Sequence, residues 1–140
     1  MRDLANYLHP VRAIAPAAAV ADNTPIVSSI VSLAGYSSLA FLLALGGIAD
    51  ADATFTVLVE DGDQANLSDA APVPDAKLTG LETDAGFTFA DDNELRKIGY
   101  VGSKSYVRLT ITPVNNTGNV FVSAIAVLGD GRFGPTPSLA

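Results

Sequence analysis

Ser105-Tyr106-Val107-Arg108-Leu109-Thr110-Ile111-Thr112, followed closely by Asn119-Val120-Phe121-Val122-Ser123-Ala124-Ile125-Ala126-Val127-Leu128, decides the fold class of this chain. In the first stretch Val107, Leu109 and Ile111 alternate with Tyr106, Arg108, Thr110 and Thr112. That period of two places the apolar side chains on one face of a half-buried strand. The second stretch is apolar at nearly every position and reads as another strand. Between them lie Pro113, Asn115, Asn116, Thr117 and Gly118, and Asn and Gly tolerate the positive φ of tight turns, so the two strands are expected to form an antiparallel hairpin.

The same signature continues outward from this pair. Residues 26–34, 38–45, 53–60, 78–81, 87–89 and 95–101 are short runs rich in β-branched or aromatic residues, bounded by Gly, Asn, Asp and Pro. Gly35 and Tyr36 mark a bend, and Asp50 and Asp52 a turn. In 53–60, Phe55, Val57 and Val59 alternate with Thr54, Thr56 and Glu60, whereas the unbroken apolarity of 38–45 predicts a strand covered on both faces. Residues 61–77 have no period and read as a long loop, of a length seen mainly where a loop is functional or packed on a partner. No helical segment of ten or more residues is evident. Seven or eight strands separated by turns predict an all-β protein, an antiparallel, jelly-roll-like β-sandwich over 24–129, with an extended N-terminal arm (1–23) and a C-terminal tail (130–140).

Composition narrows function by exclusion. The 140 residues include no Cys, no Trp and one His, which removes disulfide scaffolds, thiolate metal sites and cysteine nucleophiles. Eight Lys and Arg stand against fifteen Asp and Glu, a net charge of −7 that argues against a nucleic-acid surface. Residues 23–49 carry no charge, yet five serines with Gly35, Gly46 and Gly47 interrupt them too often for a membrane span. The Ala-rich 13–21 is preceded by Asp3, His9, Pro10 and Arg12 where the apolar core of a signal peptide should lie, so no cleaved leader is expected.

Candidate chemistry is sparse. Asp50 and Asp52, then Glu60, Asp61 and Asp63, then Asp91, Asp92 and Glu94 are acidic clusters at turns. A calcium loop starting at Asp61 fails, with Ala65 at its fifth position and Pro72 in place of the closing Glu. His9 has no partner histidine, no serine sits in a nucleophile elbow, and no glycine-rich phosphate loop is present, so no enzymatic activity, metal or cofactor is expected. Arg96, Lys97, Lys104 and Arg108, interleaved with Tyr100 and Tyr106, form the one basic concentration, and pairing with neighbouring carboxylates is its simplest account. Asn66-Leu67-Ser68 and Asn115-Asn116-Thr117 match the glycosylation triplet. In the arm, Arg2, Leu4, Tyr7, Leu8, Val11 and Ile14 are anchors without a regular period, the pattern of a strap that packs on a neighbour; the arm is expected to be dispensable for folding and needed for assembly. The apolar surplus of 38–45 and 119–128 suggests self-association or, equally, a thicker core.

Three stretches, taken in order, resemble small structural proteins of tailed bacteriophages and prophages. They are Met1-Arg2-Asp3-Leu4-Ala5-Asn6 continuing to Ala13-Ile14-Ala15-Pro16-Ala17, then Gly35-Tyr36-Ser37-Ser38-Leu39-Ala40-Phe41, then Ile98-Gly99-Tyr100-Val101-Gly102-Ser103-Lys104-Ser105-Tyr106-Val107-Arg108. The closing Ala124-Ile125-Ala126-Val127-Leu128-Gly129 adds to the likeness, and the 61–77 loop and the proline-containing tail depart from it. The resemblance implies a virion component, assembled in the host cytoplasm and without catalysis. It points most to a trimeric capsid decoration or cement protein that binds the major capsid protein on the outer surface of the head. A carbohydrate- or receptor-binding sandwich of a spike, or a tail or neck component, is the alternative.

Overall fold

Alternating side chains select the inward face of each strand, and hydrogen bonding then selects its neighbours. The computed structural model describes residues 2–136. Its strands are β1 (His9–Ile14), β2 (Ile26–Val27), β3 (Val31–Ser32), β4 (Tyr36–Ile48), β5 (Thr54–Gly62), β6 (Ala71–Pro72), β7 (Leu78–Thr79), β8 (Phe87–Thr88), β9 (Leu95–Tyr100), β10 (Tyr106–Val114) and β11 (Val120–Gly131). One helical turn, α1 (Glu82–Ala85), precedes β8. All pairings are antiparallel, in a five-stranded sheet of order β1-β11-β4-β9-β7 and a second sheet of order β2-β10-β5-β6, with β3 on β10 and β8 on β5.

With the short strands β3, β7 and β8 left aside and the equally short β2 and β6 kept, the eight run first–eighth–third–sixth in one sheet and second–seventh–fourth–fifth in the other. This is the doubly wound Greek-key order of a jelly roll. The chain is an all-β sandwich of that kind. Its eleven strands exceed the seven or eight expected because β1 forms within the arm, residues 26–34 divide into β2 and β3, and the 61–77 loop contributes the short β6.

The core lies between the sheets. Phe41 and Leu43 of β4, Ile98 and Tyr100 of β9, and Ala124, Ala126 and Leu128 of β11 meet Phe55, Val57 and Val59 of β5 and Val107, Leu109 and Ile111 of β10. Each large side chain buried here contributes roughly 1.5–3 kcal/mol. Phe55 stacks on Phe87 with ring centroids 4.7 Å apart. One polar group ties the two sheets together. The Tyr100 hydroxyl donates to Asp61 Oδ2 at 2.6 Å and accepts from the Lys104 amide at 3.1 Å. Burial, reinforced by the Asp61 carboxylate, pushes the phenol well above its ordinary range.

Several expectations are corrected. β10 and β11 do not form a hairpin: they lie in opposite sheets, joined by an arch across the end of the sandwich. Buried Asn116 pins that arch, its side-chain amide donating to the Asp22 carbonyl and its backbone amide to Asn23 Oδ1, while Asp50 Oδ2 accepts from the Thr117 amide and hydroxyl. A period of two states which way a side chain points and is silent on which strand lies alongside. The 38–45 strand is not covered on both faces either. Leu39, Phe41, Leu43 and Leu45 are buried, but Leu42 is 42% exposed.

The arm is only partly separate from the domain. β1 is an edge strand of the five-stranded sheet, paired with β11, and Ala13 and Ile14 enter the core. Deleting the arm would therefore bare the β11 edge and take Ala13 and Ile14 from the core. The long loop packs on its own domain: Leu67 and Val73 are buried, and Val73 donates to the Val59 carbonyl while Glu82 Oε1 accepts the Val59 amide at 2.7 Å. Together these groups cap β5 at Val59, beside β6. At the other end the Thr136 hydroxyl donates to the Leu8 carbonyl at 2.7 Å, bringing the start of the tail back to the arm; the remainder of the tail, residues 137–140, lies outside the described residues.

Candidate docking face

The outward side chains of the five-stranded sheet form rows fixed by strand register. One row reads Arg12, Ile125, Leu42, Lys97 across β1, β11, β4 and β9. The next reads Pro10, Val127, Ala40, Gly99, Thr79, and a third Ser123, Ala44, Leu95. Phe121 extends the apolar area against Gly46, where the two chains run so close that a Cβ on Gly46 would sit 2.9 Å from the Phe121 Cβ. Ile125 is 47% exposed and Leu95 76%. A shallow groove of about 440 Å³ runs among Leu42, Ala44, Leu95, Lys97, Ser123 and Ile125. None of these row positions is acidic, although the protein as a whole is.

The expected contact residues of the arm divide between surface and interior. Arg2, Leu4 and Tyr7 are exposed and Leu8 is half-buried; Val11 packs against the core and Ile14 belongs to it. Tyr7 lies beside the tail, and with Gly131, Phe133 and Thr136 it lines a corner hollow of about 330 Å³. Tyr7 and Phe133 therefore place two exposed rings at this corner, and exposed Leu4 lies one short helical turn before Tyr7. Leu4 and Tyr7 were readable from the sequence as anchors, whereas Leu42, Ile125, Leu95, Phe121, Arg12 and Lys97 were not singled out as contacts. The signal for the apolar ones was the surplus of such residues in 38–45 and 119–128, which alone does not distinguish a buried second face from an open one.

The acidic clusters serve local structure. Asp50 and Asp91 are held below the ordinary carboxylate range, first by the amides of Thr117 and Thr88 that donate to them, and no group of three or more side chains suited to a metal occurs among the described residues. The basic concentration is largely paired: Arg96 with Asp91 and Glu94, Lys104 with Asp63 at 3.0 Å, and Arg108 with Glu60 at 3.0 Å. Lys97 is the one of the four without an ion pair among the described residues, and it points out of the apolar face. His9 stacks on Tyr36, centroids 5.3 Å apart, with no acid or nucleophile bonded to it among the described residues.

A second concavity, polar and about 620 Å³, lies between residues 32–37 and 102–106, with Tyr36, Tyr106, Arg132 and the Asp63–Lys104 pair on its walls. No helix among the described residues is long and apolar enough to cross a membrane.

No protein-family model matches the chain, and no curated protein matches it. Among solved structures, the CBM22-1-GH10 modules of an endo-1,4-β-D-xylanase from Clostridium thermocellum, complexed with xylohexaose, align at 15% identity and TM-score 0.40, covering 76% of this chain and 18% of that one. A family two carbohydrate esterase from Cellvibrio japonicus aligns at 12% identity and TM-score 0.36, covering 94% of this chain and 36% of that one. This chain thus spans well under two thirds of either protein. At these scores neither likeness bears on what it binds.

Proposed function

We propose that this chain is a non-catalytic virion component, a decoration or cement protein that binds the outer surface of a tailed-phage head and stabilises it. The observation that carries the reading is the open apolar face of the five-stranded sheet. A jelly roll needs only its inner faces for a core, so side chains such as Leu42, Ile125, Phe121 and Leu95 remain for contact with another surface. Covering them returns roughly 25 cal/mol per Å² of apolar area. The corner formed by Tyr7 and Phe133 provides a second point of contact. Two modest contacts on one rigid body reinforce each other through effective concentration, which is how a small clamp can resist the pressure of packaged DNA. The major capsid protein is the partner in this reading, and a homotrimer seated where capsomers meet is the assembly form, which sedimentation of the free protein would measure.

The deciding experiment mixes the purified chain with expanded heads that lack it. Saturable binding and a higher temperature of head disruption are expected. Equal binding to unexpanded shells contradicts an expansion-dependent cement.

A second reading, a carbohydrate- or receptor-binding sandwich, draws support from the polar cleft, whose Tyr36 and Tyr106 could present rings to a sugar. Binding on a glycan array that is lost in Tyr106→Ala would favour it over the first.

A further inference from the structure

The docking face carries information about the chemistry of its occupant, given the proposed role of that face in binding heads. Its central row is apolar in the middle and cationic at both ends: Arg12 on β1, Ile125 and Leu42 between, Lys97 on β9. The two cations stand three interstrand spacings apart, about 14 Å. Both are exposed, and neither has an ion-pair partner among the described residues; Arg2, Lys77 and Arg132 have none either, so what sets Arg12 and Lys97 apart is that they share one row of the apolar face.

A second copy of this chain does not satisfy such a face. In aligned sheet packing, a two-fold axis along the row sets Arg12 against Arg12 and Lys97 against Lys97, and an axis along the strands sets Arg12 against Lys97. Cation meets cation either way, and like charges set opposite each other across an interface suppress that pairing. The outer face of the other sheet offers no acidic complement: it presents Thr54, Thr56, Thr110 and Thr112 with the exposed Val27 and Val114, and its acid, Glu60, is already taken by Arg108.

We infer that the five-stranded sheet docks on a protein surface of a different chain, apolar at its centre and bearing carboxylates at two points about 14 Å apart that pair with Arg12 and Lys97. The apolar middle supplies affinity, and the two ion pairs fix the angle at which the sheet lies, as charges at a rim set register and encounter rate.

The test uses the full chain and purified heads lacking it. Arg12→Glu combined with Lys97→Glu is expected to weaken head binding at least tenfold, with an unchanged circular dichroism spectrum, because both side chains are exposed. Wild-type binding should fall as salt rises, and Arg12→Lys should retain most of it. If wild type binds heads and the double reversal binds as well, the acidic partner is wrong while docking stands; if wild type binds no heads, the docking reading itself falls and this inference with it. Concentration-dependent dimerisation of the free chain that Leu42→Ser abolishes would overturn the inference in favour of a second copy. Binding to phosphatidylglycerol vesicles that the double reversal abolishes would overturn it in favour of a membrane.

Discussion

The two outer faces of the sandwich are built on the same alternating strands and end in opposite chemistry. On the β2-β10-β5-β6 sheet, Thr110 opposes Leu58 and Thr112 opposes Thr56, and Arg108 opposes Glu60 with an ion pair between them. That face is mostly polar, with Val27 and Val114 as its exposed apolar side chains. On the five-stranded sheet the corresponding positions hold Leu42, Ile125, Ala44 and Val127, with charge only at the ends of one row. Since both sheets contribute to the core through their inner faces, folding alone does not account for the second pattern. The asymmetry separates residues that hold the protein together from residues available to hold something else.

Neighbouring residues put that separation to the largest test. Phe41 is fully buried and Leu42 follows it on the open side. Phe41→Ala should cost about 3–5 kcal/mol in chemical denaturation, whereas Leu42→Ser should stay within about 0.5 kcal/mol. Equal losses would mean the open face is covered after all. Tyr100→Phe keeps the ring and removes the bonds that join the sheets, leaving Asp61 and the Lys104 amide short of a partner, and should cost about 1–3 kcal/mol.

The same phenol predicts a pH effect. Its pKa is raised on folding, so its contribution is fully present below the ordinary value of 10.0 and is lost as pH climbs beyond that value. Unfolding measured between pH 9 and about 11 should show declining stability in wild type and a flatter profile in Tyr100→Phe. Arg108→Ala on the polar face breaks a half-buried pair and should cost about 1 kcal/mol or less. Leu42→Ser with Ile125→Ser removes one cross-strand apolar pair and should cost about 1 kcal/mol or less, with earlier elution from a hydrophobic column than wild type.

Much of this architecture could be read from the chain and some could not. Phe55, Val57 and Val59, or Val107, Leu109 and Ile111, announce strands because burial on one side imposes a period of two. Which strands adjoin is decided by arches and long-range pairing, so β10 and β11 looked like a hairpin although Asn116 turns the chain from one sheet to the other. Leu42 and Leu43 are identical letters, and only the placement of β4 in its sheet makes one solvent-facing and the other core. In the arm, Leu4 and Tyr7 lie on the surface, while Val11 and Ile14 were claimed by the interior once β1 paired with β11. Ion-pair assignments for Arg96, Lys104 and Arg108 followed the simple expectation that cations in an acidic chain find nearby carboxylates.

The position of β11 has a consequence for biosynthesis. It fills the slot between β1 and β4, so the strand made last sits next to strands made early. Until residue 131 has left the ribosome, both neighbours present unpaired edges, and the five-stranded sheet cannot close. Folding of this molecule is therefore expected to wait for β11 and to be slow, as for other folds dominated by distant contacts, and nascent chains stopped short of β11 should be the form most prone to aggregate.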